Sequence, residues 1–557
     1  MKPLHRQRIS PTGDPSKSRP DAALATGILM PCIVLLLFMH GDIAFNRAIN
    51  WDEFYHHSLI YDLLSGELSQ TFQTFMARIY SWVPDLTSDI KSQFLILRIG
   101  GLATLLIAAI SIFLCTRAFA SRSTSLVCSL SYLGAGYVLQ HGASYRADTL
   151  AAGGLLLGAS VLLRTDLRFA WLAIGATITA LASMLTIKVV LFAPIFAGVA
   201  LYRLSKSNGK IGTLKSLNLF VGLTVVIWMA GIYFHSLSIK EADPTGVVSL
   251  SLRVMFGFGD LPYYSVIPIA AILSLPLAIA ILITPIVLLI KNKEMRHDKY
   301  AIWGFWLPVL SLAFYHNTAP YFYAYLLAPL AVACAPVFEW FCKRYSPAFL
   351  GVLILLNAGA VWSLEERQTL KNQMALLKGV QSIAPNRYSY FDANGMAGWL
   401  KKENHFTTLV GQDRYWHNEV PRYADVMAAK AVPLVLATDP AFQGALDHEA
   451  ETTAFFAADR DALRESYIPF WGPVHLAGKE LEPGEQATWN VRVPGSYTVK
   501  GRMLVDGTNF ETGDVIELRR GTVMLAETGD APASLTWGDN IARPSYAPPS
   551  RPYWTGF

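Results

Sequence analysis

The sequence predicts a polytopic α-helical membrane protein of about 11 transmembrane helices, followed by an extracytoplasmic C-terminal domain with an α/β part and a β-sandwich-like part. Three observations predict this class. Hydrophobic residues make up 53% of the 557 positions and charged residues only 16%, whereas a soluble domain carries about 25% charge. The long apolar runs end near Leu364. Between the first run and Leu364, the basic residues lie mainly in short segments that separate those runs, where they set membrane topology.

The apolar runs supply the predicted spans. We place them at 23–44, 95–115, 124–141, 149–163, 169–185, 188–203, 217–237, 265–290, 301–315, 320–341 and 346–363. Several are shorter than the roughly 20 residues that an isolated span needs. The first run is long enough to cross a bilayer and lacks a small-residue cleavage site, so we expect it to be an anchor rather than a cleaved signal.

The loops at alternating ends of these spans differ in charge. One side carries the basic segments MKPLHRQR, TRAFASR, RTDLR, RLSKSNGKIGTLK, KNKEMRHDK and CKR, which predicts that this side is cytoplasmic. The predicted units are a basic cytoplasmic tail at 1–22, a membrane domain at 23–364 with a first outer loop at 45–94, an outer α/β region at 365–465 and an outer β-rich region at 466–557. This arrangement predicts a multi-pass membrane protein with an extracytoplasmic C-terminal domain.

Ionisable residues from separate loops fall at the outer end of this predicted bundle. They are Asp52, Glu53, His56, His57, Arg146, Asp148, Lys188 and His316. Charges at membrane depth are costly and usually mark a site or a pathway. Arg146 and Lys188 suit a phosphate, with Asp148 orienting the arginine.

Each of these residues also has a structural interpretation. The acidic pair in NWDEFYHH can be solvated or can cap a helix, and Arg146 can snorkel with Asp148 as the cap. Lys188 can be an interfacial anchor, and His316 can belong to an aromatic belt with Tyr321 and Tyr323. Adjacent histidines point about 100° apart on a helix, so His56 and His57 are poorly placed to share a metal ion.

Three segments resemble motifs of the C-type glycosyltransferase superfamily, the polytopic enzymes that use lipid-phosphate sugars, and in particular the bacterial relatives of protein O-mannosyltransferases and the aminoarabinose transferase. NWDEFYHH resembles the acidic motif of the first outer loop. YRADTLAAGGLLLGA resembles the Arg-Pro-Asp motif, with Ala147 where many relatives have proline. HNTAPYFYAYLLAPLAVA resembles the late Pro-Tyr helix that lines the donor cavity. The resemblance covers residues 20–365.

The resemblance implies transfer of a hexosyl or pentosyl group from a polyprenyl-phosphate donor at the outer face of a bacterial inner membrane, with the C-terminal domain in the periplasm. Asp52 would be the catalytic base and Glu53 would orient acceptor or donor. Arg146, Asp148 and Lys188 would form the phosphate site. His56, His57, His316, Tyr321 and Tyr323 would line the substrate cavity. The expected partners are that donor, an envelope glycan, lipid or protein as acceptor, and membrane lipid.

We expect no cofactor and metal-independent transfer, because two cations are already predicted beside the phosphate. The formal charge of +5 is explained by the topology-setting loops and calls for no nucleic acid. A polysaccharide ligase or polymerase is the nearest alternative. A lipid or sugar transporter is a further alternative. Against it, the sequence shows no internal repeat, and the ionisable residues cluster at one end of the predicted bundle rather than at mid-bilayer.

Overall fold

The computed structural model describes residues 19–240, 254–259, 261–291, 293–447 and 452–555, with the backbone alone for 19–26 and 409–410. The predicted cytoplasmic tail up to residue 18 and much of the predicted outer loop 238–264 lie outside the described residues. The described chain forms a helical bundle that continues into a C-terminal domain built on β-sheets.

Seventeen α-helices and two 3₁₀ segments form the described part of the bundle and its loops. They are α1 (Arg19–Asn46), α2 (Trp51–Leu64), α3 (Phe75–Ile79), α4 (Val83–Leu86), α5 (Ile90–Thr116), α6 (Arg122–Leu133), α7 (Gly136–His141), α8 (Ala147–Arg164), α9 (Phe169–Ser183), a 3₁₀ segment (Ile187–Phe192), α10 (Ala193–Lys206), α11 (Lys210–Ser236), α12 (Val266–Leu273), α13 (Leu275–Ile290), α14 (Asp298–Trp306), a second 3₁₀ segment (Leu307–Ala313), α15 (Phe322–Ala333), α16 (Ala335–Arg344) and α17 (Pro347–Ser363).

The described helices include segments that are suited to a bilayer by length and composition. Five of them, 27–46, 90–116, 147–164, 187–206 and 210–236, are long and apolar enough to cross a membrane, and the number reaches eight if each of three bent helix pairs is one span. The predicted helical bundle is therefore confirmed. The count of about 11 spans stays a prediction.

Five predicted spans are not continuous α-helices. The predicted spans 124–141, 188–203, 265–290, 301–315 and 320–341 each contain a break or a junction between 3₁₀ and α geometry. Four of these points lie beside Pro194, Pro276, Pro308 and Pro336, since proline lacks an N–H and clashes with the preceding turn. The spans 265–290 and 320–341 bend there by 105° and 55°. At the first break, a Cβ on Gly134 would lie 2.3 Å from a methyl of Ile354, so close packing occupies the space a side chain would need.

Small residues hold α8 close to its neighbours. A Cβ on Gly153 would lie 3.0 Å from the backbone nitrogen of Ala108 in α5, and one on Gly158 would lie 2.1 Å from the hydroxyl of Thr179 in α9. Such close helix contacts are typical of membrane bundles, where small residues let backbones approach. This packing fixes the first turn of α8, which carries Asp148.

The C-terminal domain contains five helices and twelve strands among its described residues. They are α18 (Gln368–Ile383), β1 (Ser389–Asp392), β2 (Lys401–Lys402), α19 (Leu409–Trp416), α20 (Tyr423–Ala429), β3 (Leu434–Leu436), α21 (Pro440–Leu446), α22 (Ala457–Ser466), β4 (Tyr467–Trp471), β5 (Val474–Leu481), β6 (Gln486–Val491), β7 (Gly495–Lys500), β8 (Met503–Val505), β9 (Thr508–Phe510), β10 (Val515–Leu518), β11 (Gly521–Glu527) and β12 (Ala533–Trp537).

These strands form two sheets. The larger has the order β10-β7-β12-β5-β3-β1-β2, with β4 also paired to β5, and the smaller has the order β6-β11-β8-β9. Pairing of β3 with β5 carries the larger sheet across residue 465, so the predicted regions 365–465 and 466–557 share one sheet. The aromatic side chains of Trp471, Trp489 and Tyr497 are buried in the domain.

The C-terminal domain is bonded to the end of the bundle that carries α2. The amide of Gln373 in α18 accepts from the backbone nitrogen of Ile49 at 2.8 Å and donates to the carbonyl oxygens of Ile49 and Tyr553, each at 2.9 Å. Arg367 forms an ion pair with Asp42 at 2.9 Å. The segment that leads into α2 is therefore held between the bundle and the C-terminal domain.

Candidate active site

The acidic motif forms the first turn of α2. The side chain of Asn50 accepts a hydrogen bond from the backbone nitrogen of Asp52 at 3.0 Å, and the carboxylate of Glu53 accepts one from the backbone nitrogen of Asn50 at 3.1 Å. This reciprocal pair is a capping box. Because Asn50 and Glu53 cap the helix, the carboxylate of Asp52 is not needed for capping.

Glu53 lies in a different environment from Asp52. Its two carboxylate oxygens accept from the guanidinium of Arg98 at 2.7 and 3.0 Å, and one also accepts from the backbone nitrogen of Tyr145 at 2.9 Å. Both partners of the ion pair are buried. Burial opposes ionisation, but Arg98 outweighs it and holds the pKa of Glu53 below its usual value. The predicted orienting role of Glu53 stays a prediction, and its contacts favour a structural one.

A chain of ion pairs connects the other predicted charges. The guanidinium of Arg146 donates to a carboxylate oxygen of Asp52 through Nη1 and to Asp148 through Nε, the latter at 3.2 Å. Lys188 donates to the second oxygen of Asp148. All four side chains are buried or nearly so. The structure thus brings together residues from α2, from the start of α8 and from the first 3₁₀ segment.

An aromatic ring lies against the two cations. The guanidinium carbon of Arg146 is 3.4 Å from the ring centroid of Tyr321, and the ammonium of Lys188 is 5.2 Å from the same centroid. These distances are within the range of cation–π attraction. The hydroxyl of Tyr321 donates to Asn317 at 2.8 Å, which fixes the ring under the arginine.

The two histidines of the motif separate, as expected for neighbours on a helix. His56 is half-buried near the charged cluster, and removal from water lowers its pKa to about 4. The Nε2 atom of His57 is 2.7 Å from the amide oxygen of Gln93 in α5. A Cβ on Gly398 of the C-terminal domain would lie 2.6 Å from Nδ1 of His57. His56 therefore lies with the charges, while His57 lies between the bundle and the C-terminal domain.

His316 and Tyr323 are not bonded to the charged cluster. The ring nitrogens of His316 are 3.0 and 3.2 Å from the carbonyl oxygens of Val254 and Gly257. The ring of Tyr323 packs 5.5 Å from that of Tyr137. Their placement in the substrate cavity stays a prediction.

The described residues contain no group of three or more His, Cys, Asp or Glu side chains placed to hold a metal ion. At this site two of the potential metal ligands have other partners, because Glu53 pairs with Arg98 and His57 pairs with Gln93. Within the chain of ion pairs, two cations offset two carboxylates, as buried charges require. Metal independence stays a prediction.

Arg98 is a partner that sequence reasoning missed. It donates to the carbonyl oxygens of Ala44, Arg47 and Ala48 as well as to Glu53, so it ties the end of α1 to the start of α2. The sequence does indicate that Arg98 has a partner. It is a lone charge in the apolar run FLILRIGGLATLL, and a charge in such a run is usually paired.

Comparison with known proteins identifies similar structures. The sequence matches no protein-family model, and a search of curated proteins gives no match. ArnT from Cupriavidus metallidurans in the apo state is 12% identical with a TM-score of 0.52, and the alignment covers 74% of this chain and 93% of that one. The same protein bound to undecaprenyl phosphate is 13% identical with a TM-score of 0.50, covering 67% and 84%.

A further match is the archaeal oligosaccharyltransferase AglB from Archaeoglobus fulgidus in complex with an inhibitory peptide and a dolichol-phosphate, at 11% identity and a TM-score of 0.49, covering 94% of this chain and 98% of that one. The conclusion about fold rests on the two ArnT structures. At these identities the similarity concerns fold alone, and it agrees with the resemblance predicted from the three sequence motifs. The chain therefore shares the fold of the two ArnT structures.

Proposed function

We propose that the chain is a membrane glycosyltransferase that moves a sugar from a polyprenyl-phosphate donor to an acceptor hydroxyl on the outer side of a bacterial inner membrane, with Asp52 as the base. One observation carries the proposal. Asp52, Arg146, Asp148 and Lys188 form one buried chain of ion pairs at the end of the bundle that the C-terminal domain covers. The arrangement holds a carboxylate beside two cations, as proton removal and phosphate departure together require.

The reaction needs one carboxylate. The acceptor oxygen forms a bond to the anomeric carbon while the bond from that carbon to the phosphate oxygen breaks, and the acceptor proton passes to Asp52. The polyprenyl phosphate leaves with the electron pair, and Arg146 and Lys188 stabilise its charge. Attack from the face opposite the phosphate inverts the anomeric centre without a covalent enzyme intermediate.

Arg146 couples donor binding to the base. In the described arrangement its Nη1 donates to the Asp52 oxygen, so that oxygen is occupied. A donor phosphate that engages the guanidinium replaces Asp52 as the partner of Nη1, and the freed oxygen then faces the acceptor. Asp148 accepts from Arg146 and Lys188 through separate oxygens. It thereby holds the two positive charges close together, where both can contact the donor phosphate.

Two features support a lipid-linked donor. The ArnT structure that shares this fold contains undecaprenyl phosphate, which is the leaving group proposed here. Many large apolar side chains on α1, α11 and α13 are exposed, including those of Phe38, Val226 and Leu282, which suits contact with lipid chains.

The experiment is transfer by the reconstituted full-length enzyme. Asp52→Asn keeps size and hydrogen bonding but removes the base, so we expect transfer to fall roughly 10²–10⁴-fold while folding is retained. Asp85→Asn is the matched control, because Asp85 is an exposed carboxylate of the same outer loop. Asp52→Asn activity equal to that of the control would remove Asp52 from the mechanism.

The same assay tests the donor and the metal. A soluble nucleotide sugar that supports transfer without any lipid intermediate would contradict the lipid donor. A chelator should leave the rate unchanged, whereas loss of activity that magnesium or manganese restores would contradict the metal-free reaction.

A further inference from the structure

A cleft in the outer domain opens beside the first turn of α2. Its volume is about 780 Å³, and its described lining includes Trp51 of α2 together with Asn394, Thr407, Gln412, Trp416 and Asp439 of the outer domain. This volume is within the usual range of about 300–1,000 Å³ for small-molecule sites. Trp51 directly precedes Asp52 in the chain, so the cleft begins one residue from the proposed base.

The topology of the sheet places a ligand site here. Strand β1 lies between β2 and β3 and is parallel to both. The chain runs from β1 to β2 on one side and then crosses to β3 on the other, so the strand order reverses at β1. Ligands of open α/β sheets bind outside the carboxyl ends of the strands at such a reversal. Asn394 follows β1, Thr407 follows β2 and Asp439 follows β3, and all three line the cleft.

The lining combines flat aromatic rings with neutral hydrogen-bonding groups. Trp51 and Trp416 supply two indoles, and the side chain of Trp416 is 39% exposed. An indole can pack against the C–H face of a sugar ring, while amide and hydroxyl side chains such as Asn394, Gln412 and Thr407 can bond its hydroxyl groups. This is the combination that a saccharide requires.

Other ligand classes fit less well. Asp439 is the only titratable side chain in the described lining, and a carboxylate without a lining cation disfavours a phosphate or another anion. An extended peptide binds along the free edge of a sheet through main-chain hydrogen bonds. The edge strand here, β2, has two residues, and the cleft lies at strand ends rather than along that edge.

We infer that this cleft binds a saccharide, and that the acceptor of the proposed transfer is a glycan held between Trp51 and Trp416. The identification as acceptor rests on the proposed function, whereas saccharide binding itself does not. A glycan in the cleft extends along the outer domain and presents one hydroxyl towards the first turn of α2. The cleft thus separates recognition of the acceptor from the buried cations that hold the donor phosphate.

The test is equilibrium binding to the full-length Asp52→Asn protein without lipid donor, in nanodiscs so that no sugar-headed detergent competes. The probes are cellotriose, chitotriose and mannotriose, with an acetylated serine tripeptide amide as the protein-like probe. We expect at least one trisaccharide to bind. Trp416→Ala should weaken that binding at least about tenfold, which corresponds to about 1.4 kcal/mol.

Two variants keep this result interpretable. Trp416→Phe retains a ring against Phe456, whose centroid lies 4.7 Å from that of Trp416, and should retain most of the affinity. His417→Ala changes an exposed neighbour outside the lining and should bind as the parent does. Binding of the tripeptide alone, no trisaccharide binding up to about 10 mM, or equal binding by Trp416→Ala would overturn the inference. Because the probes are not turned over, these outcomes are separate from the transfer assay on Asp52.

Discussion

Arg146 is held from three directions. Its Nη1 and Nε atoms donate to two different carboxylates, and its planar face packs on the ring of Tyr321. A lysine has one point charge and no planar face, so it can replace the charge but not this geometry. The function of Arg146 therefore depends on the geometry of its guanidinium as well as on its positive charge.

Arg146→Ala should lower transfer by roughly 10²–10³-fold, the usual effect of removing one preorganised donor that stabilises transition-state charge. Arg146→Lys should recover only part of that loss. Asp148 retains Lys188 as a partner in both variants, and thermal unfolding shows whether the bundle survives the loss of a buried ion-pair member. Arg168→Ala is the control, because Arg168 is an exposed arginine. Full activity of Arg146→Lys would show that charge alone is sufficient.

At the scale of elements, α2 connects the bundle to the C-terminal domain. His57 lies at this contact, with Gln93 of α5 on one side and Gly398 of the C-terminal domain on the other. It is fully buried, and burial lowers its pKa to about 4. His57 is therefore neutral in the folded protein at neutral pH, and its protonation favours the unfolded chain.

Because His57 binds its proton more weakly in the folded state than in the unfolded state, folding stability depends on pH. Between about pH 6.5 and pH 4 the unfolded state binds more protons at His57 than the folded state does, so stability falls as the pH falls through that window. The contribution of His57 is at most about 3.4 kcal/mol. His57→Gln should make unfolding temperature less dependent on pH in this window, and the exposed His417→Gln should not. Equal pH slopes for wild type and His57→Gln would contradict the buried-histidine explanation.

At the scale of the whole molecule, apolar runs and charged loops predicted the helical bundle and the grouping of Asp52, Arg146, Asp148 and Lys188. Alternating apolar and polar residues with turn signals between them predicted the C-terminal sheets. These features depend on local composition and on the end of the span at which each loop lies. The partner of Glu53 was not predictable in this way, because Arg98 reaches it across 45 positions of sequence. The outer cleft was missed for the same reason, since its lining comes from loops that only the assembled sheet brings together.

The last prediction concerns the side of the membrane on which the site lies. The C-terminal domain is bonded to the segment before α2 through Gln373 and Ile49, so Asp52 and this domain lie on the same side of the membrane whatever the number of spans. The loops at the opposite end carry Lys and Arg in almost every case, which predicts that end to be cytoplasmic. An N-terminus inside and a C-terminus outside then require an odd number of crossings.

Reporter fusions at Arg122, at Lys293 and after the last residue test this arrangement, using one reporter that is active only in the cytoplasm and one that is active only outside it. The first two fusions should report the cytoplasm and the third the outside, because the predicted charge bias opposes translocation of the basic loops. A cytoplasmic signal from the third fusion would place Asp52 and the cleft inside as well, since the C-terminal domain is bonded to the segment before α2. That result would contradict transfer at the outer face even if Asp52→Asn abolished activity.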